Sequence, residues 1–364
     1  MRFPGFTDEW KECTIRDIAK IEKGNGISKD QLSEEGDECI LYGELYTKYK
    51  SEIIGEVYSK TKVDSTKLMR SQANDVLIPC SGETAEDIAT ARCVKMEGIL
   101  LGGDLNIMRF DKQDGAFMSY QLNGKRKYDI ARVAQGVSVV HLYPEHLKSI
   151  KVVLPELEEQ QKIVTLLSLI DQRITTQNKI IDNLQSLIKG LSKTLTNQGE
   201  PNTRISDCLE CHTSTLQEGT LNENGLYPVY GASGIAGFLN DYRCDKDSIL
   251  IIKDGSGAGT VSYATGKYSV IGTLNYLTAK SEYSLKYLYF CLMGFNFEPF
   301  KTGMAIPHIY FRVYGQAKIY CPSIEEQEHI AKVLTIIENK LNIESMLLKF
   351  LYMEKQYLLN NMFI

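Results

Sequence analysis

A few groups of residues in this chain have the types that chemistry uses. Cys208-Leu-Glu-Cys211, followed at once by His212, is the only close pair among nine scattered cysteines. A tetrahedral zinc site needs four ligands, and no second pair at metal spacing accompanies it. The odd cysteine count also speaks against a full disulfide framework. Gly255-Ser-Gly-Ala-Gly259 with Thr260 is not a Gly-x-Gly-x-x-Gly fingerprint, and before Gly266-Lys267 it is Val261 that stands where a phosphate loop needs its first glycine. The nine prolines are isolated, so the Asn/Asp-Pro-Pro-aromatic motif of the amino-methyltransferases is absent. Asp254-Gly-Ser-Gly reads as a tight turn whose exposed amides can also meet a phosphate. Lys125-Arg-Lys127 is either a solvated loop or a phosphate contact. His141 and His308 lie 167 residues apart, but no nucleophile or carboxylate recurs with them, so a structural place at a domain edge stands beside a functional one. No catalytic constellation emerges.

The elements that must position these residues are clearer. Pro155-Glu-Leu-Glu-Glu-Gln-Gln-Lys-Ile163 returns as Pro322-Ser-Ile-Glu-Glu-Gln-Glu-His-Ile330, with Glu158/Glu325, Glu159/Glu326, Gln160/Gln327 and Leu167/Leu334 in one register. Upstream the same register joins Gly136/Gly303, His141/His308 and Lys151/Lys318. Solenoid repeats run about 20–50 residues, so this longer period is a duplicated half-protein. Each copy leads into a heptad: Ile163, Leu167, Ile170, Ile174, Gln177, Ile181, Leu184, Ile188, Leu191 and Leu195 in the first, Ile330, Leu334, Ile337, Leu341, Glu344, Leu348, Leu351, Lys355, Leu358 and Met362 in the second. Apolar side chains every 3.5 residues form a narrow stripe that a partner helix must bury, and the other copy is the nearest partner. Each helix should be roughly 50 Å long at 1.5 Å per residue. Gln177 and Glu344 interrupt the two stripes at the same repeat position, where a polar residue can set register. Pro155 and Pro322 suit the helix starts, and the Glu pairs after them face the positive end of the dipole.

The domain plan follows. Residues 1–154 read as a first mixed α/β globule, 155–198 as the first long helix, 199–321 as a second globule and 322–364 as the second helix. Asp75 to Gly82 looks like a buried strand running into a turn, Ile99 to Phe110 a strand with a glycine break, and Gly136 to His141 a closing stretch. Val261 to Tyr268, turning at Gly266, reads as a hairpin. The hydrophobic fraction of 43% and charged fraction of 24% are those of a globular protein. No apolar run reaches the ~20 residues of a membrane span, and the first residues lack a signal-peptide core, so a cytoplasmic protein without a membrane partner is expected. Net charge is −5 and no segment is basic overall, so binding to phosphates would have to come from local patches.

The paired Pro-x-x-Glu-Glu-Gln-x-x-Ile helices, the start Phe3-Pro-Gly-Phe-Thr-Asp-Glu-Trp10 and Asp254-Gly-Ser-Gly-Ala-Gly259 together resemble the specificity subunit of a type I restriction–modification system. The resemblance covers the whole chain, strongly in the helices and weakly in the globules. It implies an α+β fold of two target-recognition globules separated by two long antiparallel coiled-coil helices, with pseudo-twofold internal repeat. It further implies a non-catalytic subunit with no cofactor of its own. Such a subunit binds double-stranded DNA at a bipartite target. Two methylation subunits, which hold S-adenosylmethionine, and restriction–translocation subunits join it. A coiled-coil adaptor without nucleic acid is the alternative. Chosen by polarity and expected loop position, the candidate DNA contacts in the first globule are Tyr46, Lys48, Tyr49, Lys50, Ser81, Glu83, Thr84, Lys125, Arg126 and Lys127. In the second they are Tyr230, Ser233, Lys253, Ser256, Asn275, Tyr276 and Lys301. The residues expected to pair the helices are the stripe positions from Ile163 to Leu184 and from Ile330 to Leu351.

Overall fold

Both long helices form as the heptads require. One spans Leu157–Leu195 and the other Ile324–Met362, each 39 residues and so about 58 Å at 1.5 Å per residue. The computed structural model describes residues 2–136 and 139–363. Val137 and Ser138, within the expected closing stretch, lie outside the described residues, as do Met1 and Ile364. The chain divides into two compact units, and each takes a part of both helices: Met1–Asn178 with Leu347–Ile364, and Lys179–Met346. None of the described helices is long and apolar enough to cross a membrane.

In the first unit Ile170, Ile174 and Leu351 bury one another, with Leu347, Leu348 and Leu358 against them. Ile163 and Leu167 enter the main core beside Leu359, Met362 and Phe363. Early residues of one helix thus meet late residues of the other, which is antiparallel packing. In the second unit Ile188, Leu191 and Leu195 share a core with Ile330, Leu334 and Ile337 in the same sense. Ile181, Gln177 and Glu344 are buried, while Leu184 and Leu341 are half-buried.

Each globule is built on the same frame. In the first, a sheet orders Ala19–Lys23, Leu105–Phe110, Asp75–Pro79, Arg92–Val94 and Ile53–Ile54. In the second, Leu209–Thr213, Leu274–Ala279, Ser248–Ile252 and Val261–Ala264 follow the same order. The central strands are buried along their whole length and are apolar after their first residues, because helices Gly115–Asn123 and Leu285–Gly294 cover them. The Ile15 amide donates to the Ile150 carbonyl at 3.0 Å, and Ile205 donates to Ala317 at 3.0 Å. Ile150 and Ala317 are one repeat apart.

The repeat also explains Gln160 and Gln327. Gln160 donates to the Pro155 carbonyl at 3.0 Å and accepts from the amide of Asp114, the cap of helix Gly115–Asn123, at 3.0 Å. Gln327 donates to Pro322 at 2.9 Å and accepts from the amide of Ser284, the cap of helix Leu285–Gly294, at 3.0 Å. One buried amide thus ties the start of each long helix to the start of the globule's covering helix. The acidic pair behaves less evenly. Glu159 is buried and accepts from Arg2 at 3.1 Å and Trp10 at 3.2 Å, whereas Glu326 is exposed.

Around Tyr46 the residues Glu44–Thr47 form a helical turn. One local expectation is corrected. Val261–Ala264 does not make a hairpin with the residues after Gly266. It pairs with Ser248–Ile252, while Ser269–Val270 joins Tyr227–Gly231 in another sheet. Tyr268 explains the departure, because its fully buried ring and its backbone bonds to Cys244 carry the chain into a different core.

Lys355, a charged residue in the apolar stripe, is buried. Its ammonium lies 2.6 Å from Asp171 of the first helix and also pairs with Glu52 of the globule; Asp171 accepts from Tyr120 at 2.7 Å. Burial opposes the charge, and the two carboxylates outweigh it, so the amine is pushed up from its ordinary range. Lys355→Met would leave both carboxylates buried without their cation and should destabilise the first unit by about 3–5 kcal/mol. Exposed Lys349→Met should change stability by less than about 0.5 kcal/mol. Urea titrations followed by the fluorescence of Trp10, the single tryptophan and a member of that unit, would measure both.

Candidate nucleic-acid interface

The polar residues that the structure gathers lie where the central strand of each globule ends. In the first globule Asp75–Pro79 runs on into Ser81–Gly82, which pairs with Val140–His141. In the second, Ser248–Ile252 runs on to Asp254, which bridges to His308. The two closures match bond for bond. Gln135 and His141 exchange backbone hydrogen bonds at 2.9 and 2.7 Å, and so do Thr302 and His308. Leu142 donates to the Cys80 carbonyl at 2.8 Å, and Ile309 to the Lys253 carbonyl at 2.9 Å. Gly136 and Gly303 open the loops at φ +128° and +92°. A Cβ would stand 2.0 Å from the Val139 carbonyl oxygen at the first and 2.4 Å from that of Ile306 at the second, so only glycine fits.

Around the second closure Lys253 pairs with Asp254, and His308 Nδ1 lies 2.8 Å from the same carboxylate. Burial works against ionisation there, yet hydrogen bonds from Lys253 and His308 hold the Asp254 carboxyl below the usual carboxylate range. Ser256 and Lys301 line one cavity of about 270 Å³, with Glu298 2.6 Å from the Lys301 ammonium. Ser256 and Lys301 therefore share one cavity, and Lys253 directly follows the strand Ser248–Ile252 that leads to it. Ser233 lies apart from that cavity, exposed at the turn between Tyr227–Gly231 and Gly234–Leu239. Tyr230 packs edge-on against Tyr268, and Tyr276 stacks on His212 at 4.8 Å.

Around the first closure the Tyr46 hydroxyl stands close to Gly82. Burial, then the neighbouring Tyr42, Asp87 and Glu83, push its phenol above the ordinary range. Ser81 is buried and donates to Asp104 at 3.2 Å, while Glu83 is exposed. Thr84 caps helix Ala85–Ile88 and donates to Asp87 at 2.7 Å, a structural use of its hydroxyl.

Several candidates are removed or weakened by burial and pairing. Tyr49 is only 5% exposed, its ring stacked on Tyr58, and Asn275 is only 3% exposed, so neither reaches a base. The Lys48 ammonium donates to Glu44 at 2.6 Å and to Ser59 at 2.8 Å. Lys50 and Lys125 are exposed. Arg126 pairs with Asp129 at 3.5 Å, and Lys127 lines a cavity of about 570 Å³ with Glu52, Arg92 and Lys355. That stretch belongs against the second long helix, where Gly124 meets the Leu359 carbonyl. Among the described residues no group of three or more His, Cys, Asp or Glu side chains could hold a metal ion, and His212 Nε2 lies 2.9 Å from Thr278.

Two candidates were missed. Tyr143 and Tyr310 are both exposed, one repeat apart, and follow the histidines as His141-Leu-Tyr143 and His308-Ile-Tyr310. The signal was available in the 167-residue register. Tyr143 stacks on His141 with Lys23 6.0 Å above its ring, and Arg312 lies 5.4 Å over Tyr310.

Comparison with known proteins decides the family. The model of the type I restriction modification DNA specificity domain matches residues 7–186 and again 202–351. The chain belongs to that family. It is 24% identical to the type I restriction enzyme MjaVIII specificity subunit of Methanocaldococcus jannaschii, over 93% of this chain and 88% of the relative. It is 23% identical to a putative type I specificity subunit of Mycoplasma genitalium, over 92% and 88%. Among solved structures, the type I restriction–modification S subunit from M. genitalium superposes with a TM-score of 0.68 at 18% identity, covering 100% of this chain and 99% of that one. A second structure, from work on complex assembly and conformational transition of the type I system, gives 0.58 at 13% identity over 97% of each chain. The family match pairs with the duplicated frame, and these likenesses support the fold of two mixed globules and long antiparallel helices.

Gly303→Ala and Gly136→Ala should each break a closure, because the added carbon meets a backbone oxygen. The expected result is faster amide hydrogen exchange at Thr302 and His308, or at Gln135 and His141, with the rest of that unit unchanged.

Proposed function

We propose that this chain is the DNA-reading subunit of a type I restriction–modification complex, non-catalytic itself, and that it recognises a bipartite target. One observation carries the reading: the same strand-end closure occurs twice, in the same backbone frame, and the polar residues around it differ. Tyr46, Ser81 and Glu83 surround one, while Lys253, Ser256 and Lys301 surround the other. A shared frame with different side chains is what two readers of two different half-sites need. Base edges would be read by side-chain hydrogen bonds, with lysines on phosphates for position. The 39-residue helices would set the unread gap between halves. Two methylation subunits, carrying S-adenosylmethionine, would dock on the helices and modify adenine, and restriction–translocation subunits would cut unmodified DNA. The complex would work in the cytoplasm.

Co-expression with a neighbouring methyltransferase, followed by sequencing of host DNA for modified adenines, should return one split motif with a fixed gap. Removing one heptad from each long helix shortens them by roughly 10 Å, so the gap should shrink by about three base pairs while both blocks stay the same. If a complex forms and no modified motif appears, the DNA-reading proposal fails and an adaptor without nucleic acid takes its place. Lys253→Ala with Lys301→Ala should weaken DNA binding broadly across sequences and reduce the salt slope by about one per lysine that meets a phosphate.

A further inference from the structure

The loop at residues 302–308 presents an apolar tip that the reading above does not use. Met304 is 106% exposed and Ile306 58% exposed. In the repeat, Val139 stands at the Ile306 position and is 51% exposed. A free-standing apolar tip is costly in water, and this one is held in shape. The Thr302–His308 hydrogen bonds close it at 2.9 and 2.7 Å, and Gly303 stands at φ +92°, a conformation that residues with a side chain rarely adopt. A loop built this firmly is preorganised to present its tip.

Two further observations bear on what the tip meets. The closure is duplicated, down to its Gly, His and Tyr, in two globules whose other surface residues differ. Residues that are the same in both halves cannot distinguish one half-target from the other. They suit what both half-sites share: sugars, phosphates and the stacked bases as such. The surroundings are also cationic on balance. Lys253, Lys301 and Arg312 stand near the second closure against Asp254 and Glu298. His308 and the exposed Tyr310 add hydrogen-bonding groups that can meet phosphate oxygens.

We propose that the 302–308 tip is a sequence-independent DNA contact, in which Met304 and Ile306 press into a groove of the duplex and His308 and Tyr310 flank its phosphates. Apolar wedges of Met, Ile, Leu or Phe are used in this way where a duplex is gripped or kinked without a base code. This inference rests on the proposal that the chain reads DNA.

The test uses the full chain assembled with its methylation subunits. Met304→Ser with Ile306→Ser changes only exposed side chains, so folding should be unaffected. Fluorescence anisotropy would compare a labelled duplex carrying the recovered motif with one of unrelated sequence. The expected result is binding weaker by on the order of tenfold for both duplexes alike, with the methylated motif and co-purification of the methylation subunits unchanged. Lost co-purification would make the tip a protein-docking element and overturn the inference. A changed motif would make it a base reader, and unchanged binding would leave it no role on DNA; either result also overturns it. A wild-type complex that binds neither duplex would instead sink the DNA-reading proposal, and the tip's role with it.

Discussion

A 39-residue helix with one apolar stripe cannot bury that stripe against itself. Everything else in this protein depends on how that constraint is met. The two long helices run antiparallel within each compact unit, Ile170 and Ile174 against Leu351 in one and Ile188 against Ile330 and Leu334 in the other. The stripe is too long for one globule to cover, so each globule packs on a part of both helices, and the compact units cut across the helices. The boundaries that matter for folding therefore differ from those that a reading along the chain suggests.

Duplication separates what the two halves share from what they do not. The shared features are devices that hold the backbone: the side-chain bridges of Gln160 and Gln327, the Ile15 and Ile205 amide bonds, and the glycine-opened closures before His141 and His308. Each device fixes where a strand or loop ends, and none specifies which side chain stands there. Side chains at those ends are free to diverge without cost to the frame, so one scaffold can carry two different surfaces.

Charges inside the frame are used sparingly and in different ways in the two halves. Asp171 and Glu338 occupy the same repeat position on the two long helices. Asp171 takes Lys355 and Tyr120, whereas Glu338 takes Lys286 of the covering helix at 2.7 Å. A buried ion pair contributes little net stability over an apolar replacement, but losing one partner is costly, so such pairs favour one arrangement over others. In each unit the equivalent carboxylate fastens the covering helix to a long helix, and in the first it also holds Lys355 of the other long helix.

The sequence by itself determined the repeat, the two heptads, the positions where both long helices begin and the family resemblance. These are local or periodic properties. A 3.5-residue spacing and a recurring Pro-x-x-Glu-Glu-Gln are complete within their own stretch and need no knowledge of what packs against them. The partners came only with the tertiary structure. Lys355 stands in the apolar stripe as a charged residue, and its counter-ion Glu52 lies 303 residues away in sequence. Tyr49 and Asn275 looked like surface readers and are buried, and the Lys48 ammonium is held by Glu44 and Ser59. Exposure and pairing depend on which distant residues meet, and no local pattern in the chain carries that information.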